Sequence, residues 1–243
     1  MKKPKFIVFD YGETLIHEKF FYPLEGTKAI LANPLVNSNN TSAEEIQEIA
    51  YQATKQYRRY QDGKVPNSYL EIHNYQFQNY IYEYFGVEIG IDPKESETIF
   101  WDAAAPGERI SGSETLLKWL KGNNIPMAVV SNLSFSSQRL AERLKEFFPS
   151  IDFDFVMSSA NYGFRKPHPY LFKLVKQKIY QILGENIHSK EIWFVGDDFN
   201  ADIVGARNAG MTPVWIHQKE ESDIFTVENL KELLEVLKNE CEE

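Results

Sequence analysis

Five short runs rich in Val, Ile and Phe punctuate the chain, at residues 6–9, 127–130, 153–157, 192–195 and 213–216. Each lacks the polar alternation of a half-exposed strand, so each predicts a strand buried on both faces. Around them the apolar residues fall at helical spacing, in 114–121 (ETLLKWLK), 137–147 (SQRLAERLKEF), 170–183 and 227–237 (VENLKELLEVL). Strands alternating with helices predict an α/β fold, a doubly wound parallel sheet of Rossmann-like form with helices on both faces.

Between the first and second runs this rhythm stops for roughly a hundred residues, far beyond an ordinary βα connection. That length predicts an inserted domain. Within it Ser42-Ala-Glu-Glu45 and Ser68-Tyr-Leu-Glu71 have capping-box form, each opening a helical stretch, and Asp92-Pro93 suits the start of a third. Gly86 suits the end of the second. With no strand pattern between them, residues 19–105 are expected to form an all-helical cap domain, and 1–18 with 106–243 the α/β core.

Composition narrows the partners. A net charge of −9 opposes general affinity for nucleic acid or anionic membrane, so neither is expected as a partner. An anionic substrate must then be met by local cations or a metal. The basic start, Met1-Lys2-Lys3-Pro4-Lys5, precedes too few apolar residues for a signal or a membrane span. The sole cysteine, Cys241, sits in a charged tail, which leaves no internal disulfide and no thiolate metal cluster. A cytoplasmic protein, monomer or homodimer, is expected.

In an open parallel sheet the ligand site lies at the carboxyl ends of the strands. The residues there are Asp10 after the first run, Ser131-Asn132 after the second, and Gly196-Asp197-Asp198 with Asp202 after the fourth. The loop after the third passes Ser158 and Ser159 to reach Arg165-Lys166-Pro167. Singly, each has an ordinary alternative as a turn, helix cap or solvated loop residue. Together they suit phosphoryl transfer. A carboxylate attacks phosphorus to form an aspartyl phosphate, and magnesium held by further carboxylates neutralises the transferring oxygens. A lysine and a hydroxyl hold the remaining oxygens.

Four motifs in order carry a family likeness: FDYGETL around Asp10, VVSN at 129–132, GFRKPHPYLF at 163–172 and VGDDFNADIVGARNAGM at 195–211. The chain resembles the haloacid dehalogenase superfamily of hydrolases, in the phosphatase-like branch with a helical cap after the first motif. The resemblance implies hydrolysis of a small phosphorylated metabolite with Mg2+ as cofactor. It implies Asp10 as nucleophile, Ser131, Asn132 and Lys166 as phosphate-binding residues, and Asp197 as a metal ligand with Asp198 and Asp202 supporting. Asp10 and the backbone carbonyl of Gly12 complete the implied metal site.

Position 12 departs from the family. Most phosphatases of the superfamily carry a second aspartate there, which protonates the leaving group and later activates water. Glycine keeps the carbonyl and removes the acid, a contribution typically worth about 10²–10⁴-fold. Glu13 and His17 are candidate replacements. Dehalogenation is rejected, because dehalogenases place a tyrosine there and lack the acidic cluster that Asp197, Asp198 and Asp202 supply. A phosphonate hydrolase using a Schiff-base lysine from the cap (Lys28, Lys55 or Lys64) is the enzymatic alternative. A weakly active or inactive phosphate-binding regulator is the other.

The insertion holds nine of the thirteen tyrosines. Helical spacing explains most of them as bundle core or a dimer surface; an aromatic lid over the substrate is the functional alternative. Arg58-Arg59 reads as a solvated helix face before it reads as an anion contact.

Overall fold

The structure, a computed structural model, describes residues 3–33, 35–56, 69–184, 187–217 and 224–241. Arg58, Arg59, Lys64 and Ser68 lie outside the described residues, as does the side chain of Cys241. The chain enters through β1 (Phe6–Phe9) and passes Asp10 into a short strand β2 (Ile16–Glu18). The insertion follows as α1 (Pro23–Leu31), β3 (Leu35–Asn37), α2 (Ala43–Gln56), α3 (Asn74–Phe85), β4 (Val87–Ile89) and α4 (Pro93–Ala104). It returns through β5 (Gly107–Arg109), then α5 (Ser113–Gly122), β6 (Met127–Ser131), α6 (Ser137–Phe147), β7 (Phe155–Ser158) and α7 (Pro169–Leu183). Last come β8 (Ile192–Gly196), a π-helical turn at Phe199–Val204 leading into α8 (Gly205–Asn208), β9 (Thr212–Ile216), β10 (Phe225–Val227) and α9 (Leu230–Cys241).

Six strands form one parallel sheet in the order β10-β9-β8-β1-β6-β7. From central β1 the chain builds outward through β6 and β7, then crosses to β8 on the opposite flank. The crevice where the strand order reverses therefore lies at the carboxyl end of β1. Period-two alternation feeds both faces of the sheet. Phe6, Val8, Ala128, Val130 and Phe194 pack under α7, while Ile7, Phe9, Met127, Val129 and Val195 join the core with α5, α6 and α9.

The expected α/β core and helical insertion are present, with differences in detail. The insertion is not wholly helical: β3 and β4 pair antiparallel, Leu35 opposite Ile89. Helix α1 was not expected; Gly26 within it lets α4 approach so closely that a Cβ there would lie 2.7 Å from the Phe100 ring. A second ribbon, β2 against β5, ties the two strands that enter and leave the insertion. A sixth main strand, β10, takes Val227 from the expected last helix, which starts at Leu230 under an Asn229 cap bonding the amides of Lys231 and Glu232 at 3.0 and 3.1 Å.

Of the expected helix starts, Ser42 and Glu45 form a reciprocal capping box (Glu45 N to Ser42 Oγ 3.2 Å, Ser42 N to Glu45 Oε2 2.8 Å). Asp92 caps α4 and Gly86 ends α3 in the left-handed region at φ 65°. The Ser68–Glu71 reading is overturned: α3 starts at Asn74 under a His73 cap, and Glu71 is buried elsewhere. Among the described residues no helix is long and apolar enough to cross a membrane.

Candidate active site

The crevice at the end of β1 gathers residues from four separate loops. Asp10 extends the β1–β8 ladder by one bond, its N–H donating to Val195 O at 2.9 Å. Opposite stands Lys166, delivered by the loop between β7 and α7. Its Nζ lies 2.7 Å from Asp10 Oδ1 and 2.6 Å from Asp202 Oδ1, and both Lys166 and Asp202 are buried. The Asp202 contact is thus a buried ion pair.

Carboxylate oxygens of Asp10, Asp197 and Asp202 all lie within 4.8 Å of one another. Three hard oxygen donors facing one ammonium carry excess negative charge, which fits the Mg2+ that the resemblance implies. Two of these carboxyls are held above the ordinary aspartate pKa. Burial, helped by the charge of Asp10, pushes Asp197 up to about 6. Burial pushes Asp202 up to about 7 against the pull of Lys166. Burial works against the Lys166 ammonium too, but Asp10 and Asp202 outweigh it and hold its pKa above the ordinary lysine value.

Backbone economy makes the cluster possible. A Cβ at Gly196 would fall 2.2 Å from Asp202 Oδ2, so only glycine admits that carboxylate beneath the β8 end. Asp198 is turned the other way: its Oδ1 accepts from Ala201 N at 2.8 Å, capping the π-helical turn, and its N–H donates to Asp202 Oδ2 at 3.1 Å. Ser131 closes β6 beside this crevice and is buried. Asn132 grips the lysine loop through both ends of its amide, accepting from Lys166 N at 2.7 Å and donating to Lys166 O at 2.9 Å.

Gly12 follows in a tight loop, and a Cβ there would meet nothing within 4 Å. The candidate replacement acids occupy one another, with His17 Nδ1 2.8 Å from both Glu13 carboxylate oxygens and both side chains about half exposed. Of the cap lysines, Lys28 pairs with Glu25 at 3.1 Å and Glu44 at 3.7 Å, and Lys55 lies over the Tyr51 ring.

Two clusters escaped sequence reasoning. Buried Tyr11, next to Asp10, donates to Glu18 Oε1 at 2.9 Å and accepts from Arg143 Nε at 2.8 Å, which fastens the Asp10 loop to α6. Glu71, from the insertion, has a fully buried side chain paired with Arg165 and accepts from Ser159 Oγ at 2.8 Å. Its neighbour Leu70 forms a β-bridge with Phe164. The insertion thereby touches the loop that carries Lys166. The RKP spelling of that loop was a signal for Arg165; nothing local pointed to Glu71.

A family model described as haloacid dehalogenase-like hydrolase matches residues 4–210. The chain belongs to the haloacid dehalogenase-like hydrolases. Within the family it is 26% identical over 242 residues to pyrimidine 5′-nucleotidase YjjG of Escherichia coli (strain K12), covering 95% of this chain and 96% of that protein. It is 36% identical over 98 residues to glyceraldehyde 3-phosphate phosphatase of Pyrococcus furiosus, covering 36% of this chain and 38% of that protein. The crystal structure of the HAD-hydrolase YfnB from Bacillus subtilis, bound to magnesium, shares the fold with a TM-score of 0.55 at 20% identity, over 98% of this chain and all of that one.

Proposed function

We propose that this haloacid dehalogenase-like hydrolase is a magnesium-dependent phosphomonoesterase for a small phosphorylated metabolite, with Asp10 as its nucleophile. One observation carries the reading: a buried ammonium, Lys166, held between the strand-end carboxylate Asp10 and the acid Asp202, with Asp197 beside them. Relatives named as a nucleotidase and a glyceraldehyde 3-phosphate phosphatase support phosphate monoesters as the substrate class. Residues 19–105 act as the cap over a core of 1–18 and 106–243.

Asp10 attacks phosphorus in line with the leaving oxygen, and the new carboxylate O–P bond forms as the ester P–O bond breaks. The electron pair of the broken bond goes to the leaving oxygen, which takes its proton from water because position 12 offers no carboxyl. Lys166 and Ser131 hold the phosphoryl oxygens and screen the dianion from Asp10, while Asn132 keeps Lys166 in register. Water then attacks the phosphorus of phospho-Asp10, releasing inorganic phosphate and restoring the carboxylate. Asp10, Asp197, Asp202 and the Gly12 carbonyl, with Asp198 supporting, would hold Mg2+, which supplies charge neutralisation at the transferring oxygens.

Lacking an acid at position 12, the site favours leaving groups that need little protonation: acyl, aryl and anomeric phosphates over alkyl esters. Steady-state hydrolysis of a phosphate-ester panel tests the mechanism. Turnover should vanish on chelation of Mg2+ and in Asp10→Asn; turnover that survives either change overturns it.

A further inference from the structure

The insertion forms a half-open cavity of about 280 Å³ between α1, α2, α3 and α4. At about 30 Å³ per water, that is room for a ring with its substituents. Ser134 of the core forms part of its wall, three residues beyond Ser131. Three residues span at most about 11 Å, so Ser134 on the cavity wall lies within that distance of Ser131.

Phe21, Tyr51, Phe77 and Phe100 give the cavity flat aromatic walls, and among the described residues no acidic or basic side chain lines it. Three primary amides, Gln47, Asn74 and Gln78, interrupt the apolar surface. Asn74 Nδ2 and Gln78 Nε2 are buried and have no hydrogen-bond partner. Four residues apart on α3, they share one helix face. Gln78 also borders a hollow on the other flank of α3. Two other polar groups of the lining have partners: Gln47 Nε2 donates to Thr27 Oγ1 at 2.5 Å, and Thr54 Oγ1 donates to Ala50 O at 2.8 Å. The buried donors left without a partner are thus the Asn74 and Gln78 amide nitrogens, between aromatic rings.

We propose that this cavity receives the leaving group of the substrate, and that the group is uncharged, flat and carbonyl-bearing, as in a cyclic amide or imide ring. The proposal rests on the phosphomonoesterase reading of the Asp10 site. A charged group would lose its hydration with no counter-ion in the lining. A hydrocarbon would leave both amides unpaired. A carbonyl-bearing ring satisfies the amides through its oxygens and stacks on the aromatic walls.

The test compares uridine 5′-phosphate, whose imide ring carries two carbonyls, with glyceraldehyde 3-phosphate, which is too short to fill the cavity. On the Mg2+-loaded full chain, Asn74→Leu and Gln78→Leu should each lower the ratio of kcat/KM for the first ester over the second by about tenfold or more. An unchanged ratio overturns the assignment. Should either variant fail to fold, calorimetric titration of the unsubstituted protein with uridine, which has no phosphate, decides. Saturable binding is expected, and none at millimolar uridine overturns the proposal. Uridine binding in a protein that hydrolyses no ester supports the cavity and defeats the phosphomonoesterase reading.

Discussion

At the sheet edge the charged groups hold one another: Lys166 lies between Asp10 and Asp202, and Asn132 grips the Lys166 backbone at both its N–H and its carbonyl. In the insertion's cavity the Asn74 and Gln78 amide nitrogens hold nothing. On the proposed reading, the chemistry common to every phosphate ester is arranged in advance. The two amides assigned to the leaving group stand unpaired without it, at a cost in stability that a ligand would remove.

The sharpest way to separate the two regions is Asp10→Asn. It should lower kcat by about 10⁴-fold or more while uridine binding in the cavity changes little, as kinetics and calorimetry on one preparation will show. Loss of both together would mean that the regions are not independent.

Arg165→Ala attacks the contact between them. It leaves the fully buried Glu71 carboxylate without that guanidinium, and breaking such a pair costs about 3–5 kcal/mol in chemical denaturation. The double change Glu71→Gln with Arg165→Met should recover part of the loss; no recovery would deny the coupling. Gly12→Asp places a carboxyl where a Cβ meets open space, so it should fold normally and raise turnover of alkyl phosphates by about 10²-fold, with a smaller gain on aryl phosphates. Equal gains on both would show that leaving-group protonation is not the missing function.

The smallest effect is a pH dependence. Asp197 and Asp202 have folded pKa values of about 6 and about 7, above the ordinary 3.8, so the folded protein binds more protons than the unfolded one between those limits. Their contribution to metal-free stability is therefore full below pH about 4 and is lost as pH rises through about 7. Mg2+ needs the deprotonated forms, so its stabilisation grows over the same range. The rise in Tm on adding Mg2+ should be larger at pH 7.5 than at pH 5.5, and Asp202→Asn should flatten that difference.

The core was legible because its signals are local and strong. The run at 137–147 forms α6 over those residues, and the apolar runs became β1, β6 and β8 because a strand buried on both faces needs no polar alternation. The strand-end rule brought Asp10, Ser131, Lys166 and Asp197 to one edge. Helix α1 was hidden by Gly26, which weakens helical propensity and is explained only by Phe100 from α4, more than seventy residues away. Strands β3, β4 and β10 have three residues each, too few for a period to show. The sequence could not rank Asp198 against Asp202 either. Their roles part because one caps a turn while the other passes beneath Gly196. Glu71 sat in a plausible local capping pattern, yet a guanidinium 94 residues along the chain took it instead.

That ion pair bears on how the insertion seats. Separating the insertion from the core would return Glu71 and Arg165 to water, and the hydration regained offsets most of the attraction lost. The contact thus acts as a locating pin rather than an adhesive: it fixes where the insertion meets the Lys166 loop and adds little to how tightly it is held. On the proposed reading of the insertion as a cap, lifting it from the core would not require overcoming its own alignment device.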